Sequence, residues 1–254
     1  MSDTEEVNSD LRVLPVKPAK DPVKCNRDFN PILPNVHEGA CLLVVSPVRT
    51  GKSTLISNLL LNDNFYRGCF DLVYIFSNTL DNDLTSRYLK EQYPNTVYNE
   101  YSDIVLENIL NYQKSFSSRK EMPTVAIVMD DFVGLKANSL FFKISSRYRH
   151  YNIKLVVYAT QLFKSVPTLV RQNVSDFLLG APNPSTTEII KISEEYGALF
   201  EGEKNFRKLY RKCAPVRYSF MYCRLQNNPA EAWASFNKRM YLGSDTNDAM
   251  SDED

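Results

Sequence analysis

Long hydrophobic runs are missing from this sequence. None approaches the roughly 20 apolar residues that a helix needs to cross a bilayer, and the opening MSDTEEVNSD is acidic and polar, unlike a secretory signal. A soluble, unsecreted protein is expected. Paired cysteines are missing as well: Cys25, Cys41, Cys69, Cys213 and Cys223 form no C-x-x-C and lie far apart, which argues against both a zinc site and a disulfide framework. They read as reduced packing residues. No internal repeat is evident, so a solenoid or propeller is not expected. Net charge is lacking too, at +0, but only as a sum. Nine of the 30 acidic residues and none of the 30 Lys+Arg lie in residues 1–10 and 243–254, so residues 11–242 carry about +9. Acidic ends of this kind are usually solvated and disordered; a basic body is also what meets a polyanion.

What is present is one domain's worth of core, with 43% hydrophobic and 12% aromatic residues in 254. Residues 1–38 are punctuated by Pro15, Pro18, Pro22, Pro31 and Pro34 and read as an extended arm. Residues 39–225 alternate short apolar runs with helical patterns. Strands are expected at 40–45, 72–76, 125–129, 155–159 and 177–179, followed by helices at 53–62, 81–92, 138–149, 165–172 and 185–196. Strands rich in Val, Ile and Leu, each followed by a helix, indicate an α/β fold, a mainly parallel sheet with helices on both faces. A basic helix after Gly202, a strand at 216–224 and a polar tail over 226–254, its acidic end disordered, complete the expectation.

The segment SPVRTGKST, residues 46–54, nearly matches the phosphate-loop pattern G-x-x-x-x-G-K-[ST], with Ser46 at the first glycine. It follows a buried-strand pattern and opens a leucine-rich helix, the context the motif requires. Ser46, Val48, Arg49, Thr50, Gly51, Lys52, Ser53 and Thr54 are therefore the candidate nucleotide-binding residues. Backbone amides from Val48 to Ser53 would wrap the phosphates at the helix N-terminus. Lys52 would reach the β- and γ-phosphates and the Ser53 hydroxyl would hold Mg2+. Gly51 lets the backbone approach. Ser46 fits only at negative φ.

A phosphate loop needs an acid at the end of a neighbouring strand, and TVAIVMDDF supplies it. Asp130 is the magnesium-linked acid and Asp131 the candidate general base; two adjacent acids would also cap a turn. LVVYATQLF is a further buried strand, ending in Thr160-Gln161, where the Gln161 amide could sense the γ-phosphate or orient water. Asp131 to Gly134 fits the D-x-x-G pattern of GTPases, but no N-K-x-D segment follows a later strand.

The motifs SPVRTGKST, AIVMDDF, RYRHYNIKLVVYATQ and VPTLVRQNVSDFLL, over roughly residues 39–225, resemble the DNA-packaging ATPases of large DNA viruses, of the poxvirus type within the FtsK–HerA class. The resemblance implies a RecA-like (ASCE) P-loop NTPase fold with an extra strand between the phosphate-loop and Asp130 strands. It implies ATP and Mg2+ as cofactors and double-stranded DNA and viral capsid proteins as partners. It also implies a homo-oligomeric ring of about five or six subunits, at work in the virion or at the host-cell site of assembly. Ser46 departs from the family's usual glycine.

In such a ring a trans-acting arginine finger is expected, and RYRH offers Arg147, Arg149 and His150. Arg149 is the first choice and Arg171 the second; the same residues could simply face a helix C-terminal dipole. His37 reads as incidental. Lys204, Arg207, Lys208, Arg211 and Lys212 recur at helical spacing, as a solvated face or as a stripe that tracks DNA phosphates. The expected function is an ATP-driven motor that moves double-stranded viral DNA into a preformed capsid. The alternatives are a nucleotide-dependent capsid-assembly or DNA-binding protein with little turnover and, more weakly, a nucleotide kinase, for which no arginine-rich lid is evident.

Overall fold

The structure is a computed structural model and describes residues 4–6, 29–79, 86–118, 120–132, 135–181 and 185–242. Among the described residues ten strands form one sheet: β1 Thr4–Glu6, β2 Ala40–Val45, β3 Leu72–Ser77, β4 Val97–Tyr98, β5 Val125–Asp130, β6 Ile153–Thr160, β7 Asp176–Gly180, β8 Phe220–Arg224, β9 Glu231–Ala234 and β10 Lys238–Met240. Their order is β1-β10-β9-β8-β7-β2-β6-β5-β3-β4. From β7 to β4 all neighbours are parallel; from β7 to β1 all are antiparallel. The expected extra strand is β6, paired on one side with β2 and on the other with β5.

The central strands are buried on both faces, which is why they read as unbroken apolar runs. Side chains of β2 divide by the period of two: Cys41, Leu43 and Val45 join one core, Ala40, Leu42 and Val44 the other. The first core is closed by α3 Asp103–Lys114, α4 Leu140–Lys143, α5 Thr168–Asn173, α6 Thr186–Tyr196 and α7 Glu203–Cys213. The second is closed by α1 Lys52–Leu61 and α2 Ser86–Gln92. On α1, Leu55, Ile56, Leu59 and Leu60 are almost fully buried, each worth about 1.5–3 kcal/mol relative to exposure.

Several elements differ from the expectation. Residues 29–38 are not an extended arm: Ile32, Leu33 and Val36 are core, and the Tyr66 hydroxyl donates to Pro34 O at 2.6 Å. Most of the arm, including Lys17, Lys20 and Lys24, lies outside the described residues, as do the start of the helix expected at 81–92 and the acidic end at 243–254. The helix expected at 138–149 shortens to α4 and two 3-10 turns, because the Ser145 and Ser146 hydroxyls turn back onto Phe142 O and Lys143 O at 2.8 and 3.1 Å. Helix α3 was not anticipated, although Ser102 caps it by accepting from Val105 N at 3.4 Å. The segment after 226 is not a tail: β9 and β10 continue the sheet, with Trp233 and Phe236 in the core.

Candidate functional site

The loop between β2 and α1 lies at the C-terminal edge of the central parallel strands. Gly51 stands at φ 96, the left-handed region that a side chain resists, and serves as the N-cap of α1. No side chain caps this helix and no acid lies in its first turn, so its N-terminal amides are left for an anion. Arg49 also adopts a positive φ, of 59.

Ser46 is not among the positive-φ residues, the condition under which it can replace glycine. Its hydroxyl contacts the Thr50 hydroxyl, which donates to Pro47 O at 2.7 Å, so the loop is tied across its own turn. The missing glycine is found on the adjacent strand: a Cβ on Gly180 of β7 would collide with Ser46 Oγ. The side chain gained at 46 occupies the space that Gly180 leaves empty.

Lys52 Nζ stands 3.5 Å from Asp130 Oδ1, both nearly buried, with side chains 11% and 9% exposed. Asp130 closes β5, where the Tyr101 hydroxyl lies 2.5 Å from Asp130 O and 3.0 Å from Phe76 O and so ties the ends of β5 and β3 together. Burial pushes the Tyr101 hydroxyl well up from its ordinary value, helped by Asp130 and Asp131, so it stays a donor. Asp131 is held at φ 53 by its own N–H, which donates to Ala159 O at 2.9 Å. Gln161 Nε2 donates to Asp131 Oδ1 at 3.4 Å. The turn carrying Gln161 is fixed from behind by buried Glu188 on α6, whose Oε2 accepts from Phe163 N at 2.7 Å.

Lys52, Ser53, Thr54, Asp130, Asp131 and Gln161 line one cavity of about 610 Å3, with Val48, Arg49 and Gly51 from the loop. Arg217 and Tyr218 line it too and were missed in the sequence, where 216–224 reads as a strand; the strand begins only at Phe220. Arg-Tyr before an apolar run was the available signal. Gly134 lies outside the described residues.

The candidate fingers are elsewhere. Arg149 donates to Gly39 O at 3.3 Å, beside Tyr148, at the entry to β2 and so at the opposite end of the sheet from the phosphate loop. Arg171 pairs with Glu195 at 2.8 Å and lies over Phe163. On α7, Phe206, Leu209, Tyr210 and Cys213 are buried, Arg207 bonds Glu203 and Ser193, and Arg211 and Lys212 are exposed. His37 packs against Phe29.

A mainly parallel sheet covered on both faces, with a Gly-Lys-Ser loop leaving its central strand and an acid closing a strand two places away, defines the α/β fold of P-loop ATPases. In structure the chain is similar to B204, the DNA-packaging ATPase from Sulfolobus turreted icosahedral virus, at TM-score 0.50 and 14% identity over 80% of this chain and 98% of that one. It is similar to B204, the genome packaging NTPase from Sulfolobus turreted icosahedral virus 2 in complex with AMP, at TM-score 0.50 and 17% identity over 77% and 96% of the two chains. It is also similar to ATPases 2 and 3 of EssC from Geobacillus thermodenitrificans, at TM-score 0.51 and 12% identity over 83% of this chain and 41% of that one. No protein-family model and no curated protein matches the sequence. Viral DNA-packaging ATPases thus stand both in the resemblance read from the motifs and among the structural neighbours. Among the described residues no helix is long and apolar enough to cross a membrane.

Proposed function

We propose that this protein hydrolyses ATP and uses it to drive double-stranded DNA into a preformed viral capsid, as a ring of about five or six subunits in the virion or at the site of its assembly. The observation that carries the reading is the single cavity in which Lys52, Ser53, Asp130, Asp131 and Gln161 meet; the neighbours' fold and the basic body support it.

The Ser53 hydroxyl and the Asp130 carboxylate form an all-oxygen donor pair at this cavity, which fits a Mg2+ ion bound through one or two protein oxygens and the substrate phosphates. Such an ion would supply charge neutralisation at the transferring phosphate. The open amides of α1 bind the phosphates, and Lys52 leaves Asp130 for the β- and γ-oxygens. Asp131 takes the proton of the attacking water, and Gln161, bonded to Asp131, holds that water in line. The arginine of a neighbouring subunit completes the charge, with Arg149 the candidate because its own chain keeps it away from its own cavity. The deciding experiment is the ATPase rate with and without duplex DNA alongside the mass of the assembly. Stimulation by DNA in a ring-sized assembly is expected; a rate that DNA leaves unchanged overturns the motor reading in favour of a nucleotide-dependent assembly or DNA-binding protein with little turnover.

A further inference from the structure

The turn from Val216 to Ser219 forms a strap over the phosphate loop. It is closed on itself, Ser219 Oγ donating to Val216 O at 2.5 Å and accepting from Val216 N at 3.2 Å. It is fastened to the loop by Arg217, whose Nη2 donates to Arg49 O at 3.0 Å. Tyr218 is held at φ 69, a conformation that costs a non-glycine residue energy and collects at functional sites. The residue is 62% exposed, yet its ring stands over the loop, with Cδ1 3.5 Å from where a Cβ on Gly51 would be. The Arg217 guanidinium lies over the ring, 4.9 Å from its centroid.

Behind this ring lies a second cavity of about 300 Å3, whose apolar walls are Val44, Leu55, Leu178 and Phe220, with Thr54 at its edge. It shares Gly51, Lys52, Thr54 and Tyr218 with the cavity that holds Asp130, Asp131 and Gln161, so the two adjoin at the N-terminus of α1. A nucleotide whose terminal phosphate faces Asp131 in the first cavity has the second within reach at the loop they share. We infer that this apolar cavity receives the nucleobase, stacked on Tyr218, and that Arg217 couples the strap to the backbone of the phosphate loop. The inference rests on the nucleotide reading above and names the other end of the same ligand. An apolar recess with one aromatic face is how a base is gripped without edge readout. Three hydroxyls of the wall are engaged nearby, Ser46 with Thr50, Thr50 with Pro47 O and Ser219 with Val216 O, and that of Thr54 stands at the edge. Stacking and shape therefore hold the base, and the substrate class is nucleoside triphosphates, with ATP and GTP bound within about tenfold of each other.

The test uses the full chain and three ligands: ATP, GTP and inorganic triphosphate. Tyr218→Ala raises KM for ATP and GTP by about tenfold, the loss of one base–aromatic stack, while inorganic triphosphate competes with less than a twofold change. Tyr218→Phe, which keeps the ring and loses the hydroxyl, restores KM. Equal KM in wild type and Tyr218→Ala overturns the inference and leaves the phosphate site standing, as does wild-type binding of inorganic triphosphate as tight as that of ATP. A change in assembly mass without a change in KM makes the strap a subunit contact and overturns it as well. Wild-type protein that binds none of the three overturns the nucleotide reading itself, and the strap's role with it.

Discussion

Lys52 and Asp130 neutralise each other, because both are nearly buried and stand 3.5 Å apart. Lys52→Ala should therefore do two things. Hydrolysis should be abolished, since the charge on the transferring phosphate is lost, and stability in urea should fall by about 1–3 kcal/mol, because a buried carboxylate loses a charged partner. Normal turnover in this variant would remove the phosphate-site assignment. Asp131 makes a cleaner probe. It occupies the left-handed region, which asparagine tolerates, so Asp131→Asn should melt like wild type and bind ATP, with kcat lowered by about a hundredfold or more. Asp130→Asn should weaken ATP binding in magnesium as well, measured by equilibrium titration. Equal effects at both positions would erase the division between ion-holding acid and base. These acids were legible because a strand ending in charge is conspicuous. Tyr101, Glu188, Arg217 and Tyr218 were not, because each reaches the site across distant sequence through one hydrogen bond or one ring face.

At the scale of the element, legibility followed burial. Strands β2, β5, β6 and β7 stand out in the sequence because both their faces are covered, and an unbroken apolar run has few other uses. Strands β9 and β10 are short and mostly half-exposed, so their residues read as a polar tail. The start of β7 carries a different signal. Burial pushes the Asp176 carboxyl up from its ordinary value of 3.8, although Ser175 and Tyr222 donate to it at 2.7 and 2.6 Å and Arg224 opposes the shift. The folded chain therefore holds a proton that the unfolded chain has released, so stability should fall as pH rises from about 3.8 through the raised value. Asp176→Asn should flatten that part of the curve, measured by urea denaturation across pH 4–7; an unchanged slope would mean that other groups set it. The contact between loop and strand gives a second test. Gly180→Ala should cost about 1–3 kcal/mol by overpacking against Ser46. Adding Ser46→Gly should recover most of it in a double-mutant cycle, and additive losses would show that the two positions do not share one space.

Over the whole molecule, a body of about +9 between acidic ends offers basic surface to a polyanion. Helix α7 keeps its apolar side in the core and commits Arg207 to Glu203 and Ser193, so its exposed basic side chains are Lys204 at its start and Arg211 and Lys212 at its end. If this end of the helix follows phosphates, Arg211→Gln with Lys212→Gln should weaken duplex binding equally for unrelated sequences. The salt slope should flatten by roughly 0.9 per lost contact, and hydrolysis without DNA should persist, since neither residue lines the nucleotide cavity. An unchanged slope would make α7 a solvated face. The exchange of a side chain at 46 for bare backbone at 180 also bears on descent. A side chain at 46 demands glycine at 180, whereas glycine at both positions meets no clash, so the strand glycine has to come first. Relatives of this chain with a side chain at the loop position should carry glycine on the facing strand, and a search that insists on the loop glycine will pass those relatives by.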